Sequence, residues 1–129
     1  INRLRDMGVE DYLIGATVIG VMAQRLVRRL CPECAVSEDA GPGFEGAFRA
    51  PGGCDSCHGT GYRGRIGVHE ILAVNSEVRA AVLARAPEAE IERLARASGM
   101  VSLQEDGVAK AARGIVSLAE VLHLAHVTA

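Results

Sequence analysis

Residues 2 to 7, NRLRDM, interleave charged and apolar side chains at helical spacing, and the next segment, YLIGATVIGVMA at 12 to 23, is almost wholly apolar. The first reads as the end of an amphipathic helix. The second, bounded by Asp11 and Arg25 and too short to span a membrane, reads as a buried core helix. QRLVRRL at 24 to 30 and GRIGVHEILAV at 64 to 74 are apolar-rich, the second strongly β-branched, and predict two antiparallel strands joined through residues 31 to 61. The joining stretch holds EDAGPGFEGAFRAPGG, whose glycines and prolines predict a floppy connection that orders only when its ends are clamped.

Beyond Val74 the rhythm becomes helical. Asn75 or Ser76 caps a helix to about Arg85 with Val78 and Val82 on one face, and Pro87 opens another with Glu88 and Glu90 in its first turn. Ile91, Leu94, Ala95 and Ser98 follow at i, i+3, i+4 and i+7, and Gly99 ends that helix. SLQE at 102 and SLAE at 117 both match the box in which serine caps the third helical amide and glutamate reaches back. Gly114 fits the left-handed position after the first of these helices; Leu118, Val121, Leu122 and Ala125 form the expected buried stripe of the second. Residues 75 to 129 thus read as four short helices packed on one another and on the strand pair, with no nucleophile, base and oxyanion donor gathered anywhere.

Composition adds two constraints. Only Tyr12, Tyr62, Phe44 and Phe48 are aromatic, so a chain that is 49% apolar must fill its core with aliphatic side chains. The net charge of -2 gives no long-range attraction to polyanions, and few rings are present for stacking, which together argue against a nucleic-acid zinc ribbon. Positive charge collects locally in QRLVRRL and GYRGR. The chain opens on INRLRDMG without a methionine and reads as a piece of something longer.

Cys31 and Cys34, then nineteen intervening residues, then Cys54 and Cys57 make two C-x2-C pairs, the pattern of a tetrahedral site with four thiolate ligands. Two disulfides would use the same cysteines, though nothing points to an oxidising compartment, and iron in a rubredoxin-like site would use the same ligands. The expectation is one structural zinc per chain, closed to water and substrate, contributing folding free energy on the order of 10 kcal/mol. Four thiolates around a divalent ion leave a charge of about -2, and Arg28, Arg29, Arg63 and Arg65 stand close enough in sequence to offset it. His58, adjacent to a ligating cysteine, is expected to face solvent or to sit just outside the ligands, and His69, His123 and His126 form no ligand pattern.

The phosphate-cradling G-x4-G-K-[ST] loop is absent: the one lysine, Lys110 in GVAKAA, lacks the preceding glycine and the following hydroxyl. This chain alone is expected to hydrolyse no nucleotide.

DMGVEDYLIGATVIGVMAQRLVRRLCPEC, CDSCHGTGYRGRIGVHEIL and GMVSLQEDGVAKAARGIVSLAEVL, in this order, closely resemble the C-terminal portion of the secretion ATPases that power type II secretion and type IV pilus assembly. The resemblance implies an α+β fold: the end of a RecA-like α/β ATPase domain at 1–30, a tetracysteine zinc module at 31–61, a returning strand at 62–74 and a C-terminal helical region at 75–129. It also implies a cytoplasmic motor, peripheral at the inner membrane, whose homohexamer works against an inner-membrane platform protein, with ATP and magnesium held by motifs upstream of this stretch. Cys31, Cys34, Cys54 and Cys57 match the family's zinc ligands, and Arg65 matches a basic position facing the nucleotide or the membrane-side surface, with Arg63 and Arg25 as further candidates. Retraction-type relatives keep the GR…E strand without the cysteines, which makes the zinc loop an insertion between paired strands. GMVSLQEDG leans towards type II secretion. The alternative is a stand-alone protein-binding module, since CDSCHGTGYRG also resembles the C-x2-C-x-G-x-G knuckle of the J-domain co-chaperones; those carry four such repeats, and CPECAVSED lacks the glycines.

Overall fold

The computed structural model describes residues 1–127, with side-chain surroundings through Leu124. The elements in order are α1 (Asn2–Asp6), α2 (Asp11–Thr17), β1 (Gly20–Leu30), β2 (Val36–Ser37), β3 (Arg49–Ala50), a 3-10 turn (Asp55–Cys57), β4 (Tyr62–Ala73), α3 (Ser76–Leu83), α4 (Glu88–Ala97), α5 (Leu103–Ala112) and α6 (Leu118–Val127). β1 pairs with β4, and the bonds from Cys31 N–H to the Gly61 carbonyl and from Val74 N–H to the Ile19 carbonyl fix the ribbon as antiparallel. A second, two-residue ladder joins Val36 to Ala50 and Ser37 to Arg49 inside the loop.

The segment 12 to 23 is not a buried helix. α2 stops at Thr17, Val18 turns extended with ψ of 119°, and from Gly20 the chain is strand. Only Ile14 and Gly15 of the segment are buried, while Tyr12, Ile19 and Met22 are 63%, 84% and 61% exposed. β-branched Thr17, Val18 and Ile19 in succession disfavour a further helical turn, and β4 offers a long backbone to pair with instead. No helix among the described residues is long and apolar enough to cross a membrane.

Packing groups the chain into two compact units, Ile1–Ala23 with Glu70–Val101 and Gln24–His69 with Ser102–Ala129. The four helices after Val74 therefore do not form one body, as the sequence suggested: α3 and α4 belong to the first unit, α5 and α6 to the second. In the first unit Ile14, Val74, Val78, Val82 and Ile91 form the core, with Leu4, Leu72 and Leu94 packed on it. Asn75 caps α3, its side-chain oxygen accepting from Val78 N–H at 2.9 Å. Asp11 receives the guanidinium groups of both Arg5 and Arg85, and Arg5 also donates to the Val82 carbonyl at the end of α3.

In the second unit Val27 and Val68 of the ribbon meet Ala111, Val116, Leu118 and Val121 of the helical pair, and Phe48 from the loop completes the core. Phe44 stands edge-on to Phe48 with ring centres 5.9 Å apart, so the loop expected to be floppy is anchored by its two aromatic side chains. Ser102 and Glu105 close the expected capping box on α5, and Gly114 at φ 76° turns the chain out of it. Ser117 caps α6 by accepting from Glu120 N–H, while the Glu120 carboxylate binds Arg28. Leu118 and Val121 are buried as the stripe predicts, but Leu122 is 41% exposed because it turns off the face that meets the core; Ala125 and His126 lie outside the described side chains.

Candidate metal centre

The cysteine pairs sit where β1 runs out and just before β4 begins. Cys31 N–H bonds to the Gly61 carbonyl across the end of the ribbon, and the same antiparallel pairing brings the second pair alongside the first. Cys54 and Cys57 flank one turn of 3-10 helix closed on itself: each sulfur accepts the other residue's backbone N–H. Gly61 follows with its amide pointed back at the Cys57 sulfur at 3.1 Å. That approach demands glycine, since φ is 79° and a Cβ would collide with Pro51. Gly52 is as constrained on the other side, where a Cβ would strike the Cys34 carbonyl oxygen.

All four sulfurs lie within 4.8 Å of one another, and no two are bonded. Cys31 and Cys54 are 3.8 Å apart, Cys34 and Cys57 3.7 Å, and Cys54 and Cys57 3.7 Å, sulfur to sulfur. Four bonds of about 2.3 Å to a central ion place the corners of a tetrahedron about 3.8 Å apart, so the cysteines can hold a metal ion with little movement. Cys31 and Cys57 are buried and Cys34 and Cys54 half-buried.

The sulfurs are not electrically equivalent. Burial pushes the Cys57 thiol up, but the amides of Cys54 and Gly61 and the neighbouring thiols of Cys34 and Cys54 outweigh it and bring it down to about 6. The Cys57 amide pulls Cys54 down, whereas burial and donation toward the Cys34, Cys57 and Cys31 sulfurs carry it up to about 11. The second pair thus holds one sulfur, that of Cys57, whose proton leaves readily, as a metal ligand's must.

Backbone amides, rather than arginines, face the sulfur charge: Gly53 N–H donates to Cys34, Cys57 N–H to Cys54, and Cys54 and Gly61 N–H to Cys57. Arg28, expected to help, lies 4.1 Å over the Tyr62 ring and binds Glu120 instead. The Tyr62 hydroxyl in turn meets buried Ser117, so this group of side chains fastens α6 to the ribbon. Arg25 and Arg29 on β1 and Arg63 and Arg65 on β4 are all exposed. His58, in the left-handed region at φ 56°, is exposed as expected, and His69 gives its backbone N–H to Asp106. The amides of the C-x2-C knuckle point at the sulfurs, as that motif leads one to expect, and a glycine flanks each side of the second pair in PGGCDSC and GTGY.

The family model described as type II/IV secretion system protein matches residues 1–123. The type IV pilus assembly ATPase PilB of Thermus thermophilus is 45% identical over 95% of this chain and 15% of its own length. The type II secretion system protein HxcR of Pseudomonas aeruginosa is 44% identical over 96% of the chain and 25% of its own length. The type II secretion system ATPase E of Vibrio cholerae is 39% identical over 96% of the chain and 26% of its own length. The chain thus spans about a quarter or less of the curated relatives it matches. The matched stretch takes in both cysteine pairs, so the knuckle that resembled a co-chaperone repeat lies inside it.

Proposed function

Because the chain belongs to the type II/IV secretion system protein family, a part of an ATPase fold, we propose that it is the C-terminal, zinc-binding portion of a cytoplasmic motor peripheral at the inner membrane. That motor couples ATP hydrolysis to pseudopilus or pilus assembly and to protein export. The observation that carries the reading is the family match over residues 1–123, with four cysteines gathered inside it. Zinc is favoured for the site because four thiolates in tetrahedral spacing suit it and need no redox change. Cys31, Cys34, Cys54 and Cys57 would hold it, one ion per chain, and its contribution is four bonds that shut the loop.

The chain itself carries no chemistry in this reading. ATP and magnesium bind upstream in the longer protein, and residues 31–61 form a rigid projection presented to neighbouring subunits of a homohexamer and to an inner-membrane platform protein. Arg65, with Arg63 and Arg25, is the cationic surface turned toward nucleotide or partner: all three are exposed, and their planar guanidinium groups suit phosphate and carboxylate alike. No nucleic acid takes part.

The reading frame preceding Ile1 tests this proposal. It is expected to encode a G-x4-G-K-[ST] loop, and the whole protein to hydrolyse ATP as a hexamer while residues 1–129 alone hydrolyse none. A frame without such a loop would contradict the proposal.

A further inference from the structure

α5 and α6 supply no cysteine, yet they share a core with the loop that the cysteines close. Phe48, 4% exposed, comes from the middle of that loop and packs among Ala111, Val116, Leu118 and Val121. The backbone ties are equally direct: Ala47 N–H donates to the Ala112 carbonyl at 2.8 Å and Leu30 N–H to the Ile115 carbonyl at 2.9 Å. At Gly114 a Cβ would lie 2.7 Å from the Arg49 side chain, so the turn between the helices rests hard against the loop, and Arg49 itself reaches back to the Ala35 carbonyl.

Both partners are short of contacts within themselves, and the ribbon side chains Val27 and Val68 cover only part of the helical pair's face. The loop's own ladder is two residues long on each strand, too little to hold a glycine-rich excursion closed. α5 and α6 have ten residues each, below the length at which an isolated helix persists in water. The fully buried residues of α5 are Gly107 and Ala111, with Leu103, Val108 and Ala112 partly buried on the same core, so the helix depends on the side chains that cover it. By contrast, the core of α1 to α4, built on Ile14, Val74, Val78, Val82 and Ile91, takes no residue from the loop.

We infer that occupancy of the four-cysteine site governs the folding of α5 and α6 in one step with residues 31–61, while α3 and α4 keep their fold without it. The device is a folding switch that acts on a surface some fifty residues along the chain from the last cysteine. It rests on the reading that the four sulfurs hold a metal ion.

Hydrogen–deuterium exchange on the whole chain tests it, before and after a chelator and a thiol reductant, with native mass spectrometry counting the bound ion first. Amides of residues 31–61, α5 and α6 are expected to lose protection together, by roughly a hundredfold or more, with α3 and α4 unchanged. Protection retained in α5 and α6 after the ion has gone overturns the inference, as does loss in α3 and α4 at the same chelator concentration. A reduced chain that carries no ion at the outset overturns the metal reading and the switch with it. In Phe48→Ala the sulfurs are untouched, so the ion is expected to stay while α5 and α6 open; helices that remain protected in that variant contradict the switch without touching the metal reading.

Discussion

In the unit of α1 to α4, five aliphatic side chains meet, and one carboxylate, Asp11, pins Arg5 and Arg85 beside them. In the unit that holds the cysteines, the core cluster among the described residues includes one side chain, Phe48, that arrives on a long glycine-rich excursion. The first unit draws its buried side chains from regular elements and the short segments joining them, so burial alone can order it. The second has to restrain a loop rich in conformational freedom before its aromatic anchor can be used, and four sulfurs meeting at one point supply that restraint. A metal ion held by those sulfurs would add its bonds to the apolar burial that Val27, Val68, Val116, Leu118 and Val121 already give this unit.

The largest expected break of this contrast is Cys57→Ser, which removes the sulfur that the Cys54 and Gly61 amides orient. Metal content should fall from one ion per chain to none, with the loss of binding free energy on the order of 10 kcal/mol felt by the second unit alone. Calorimetry should then show a single remaining transition belonging to the first. Next is Gly61→Ala, which forces a side chain into the left-handed region and against Pro51; about 2–4 kcal/mol of the second unit's stability should go, read from its melting temperature and a weakened grip on metal. Val78→Ala sharpens the other side of the comparison. Fully buried in the first unit, Val78 should cost about 2 kcal/mol there when truncated, with metal content unchanged.

The smallest effect concerns acid. Arg85 and Arg5 hold the Asp11 carboxyl below its ordinary value of 3.8, so its contribution to stability is present above that pH and is lost as pH falls through the depressed value. The first unit's melting temperature should therefore drop on acidification below about pH 3.8, and Asp11→Asn should flatten that drop.

What could be read from the sequence was what is local. Asn75, the Ser102 and Glu105 pair, and Gly114 each end or begin a helix through groups three or four residues away, and all four behave as their spacing predicts. The cysteine pairs belong to the same class, because C-x2-C fixes two ligands by local geometry and only the meeting of the pairs depends on β1 and β4. What the sequence hid was tertiary. The apolar run at 12 to 23 looked like a buried helix because hydropathy does not distinguish a strand with an exposed face from a core helix. The four C-terminal helices look alike in sequence, and nothing in their periodicity announces that α3 and α4 serve one core and α5 and α6 another. Asp11 meets Arg85 across 74 residues, a contact no short-range pattern encodes. Phe44 and Phe48, four apart in a stretch otherwise of glycine, proline, alanine and charged residues, were the visible hint that the loop has a buried side.

The most direct measurement is X-ray absorption at the zinc edge on reduced, purified protein, together with a count of metal per chain. Convergence of Cys31, Cys34, Cys54 and Cys57 on a single ion predicts one zinc with four sulfur neighbours at about 2.3 Å. A chain without metal, or a zinc surrounded by nitrogen and oxygen while the cysteines pair as disulfides, would contradict it.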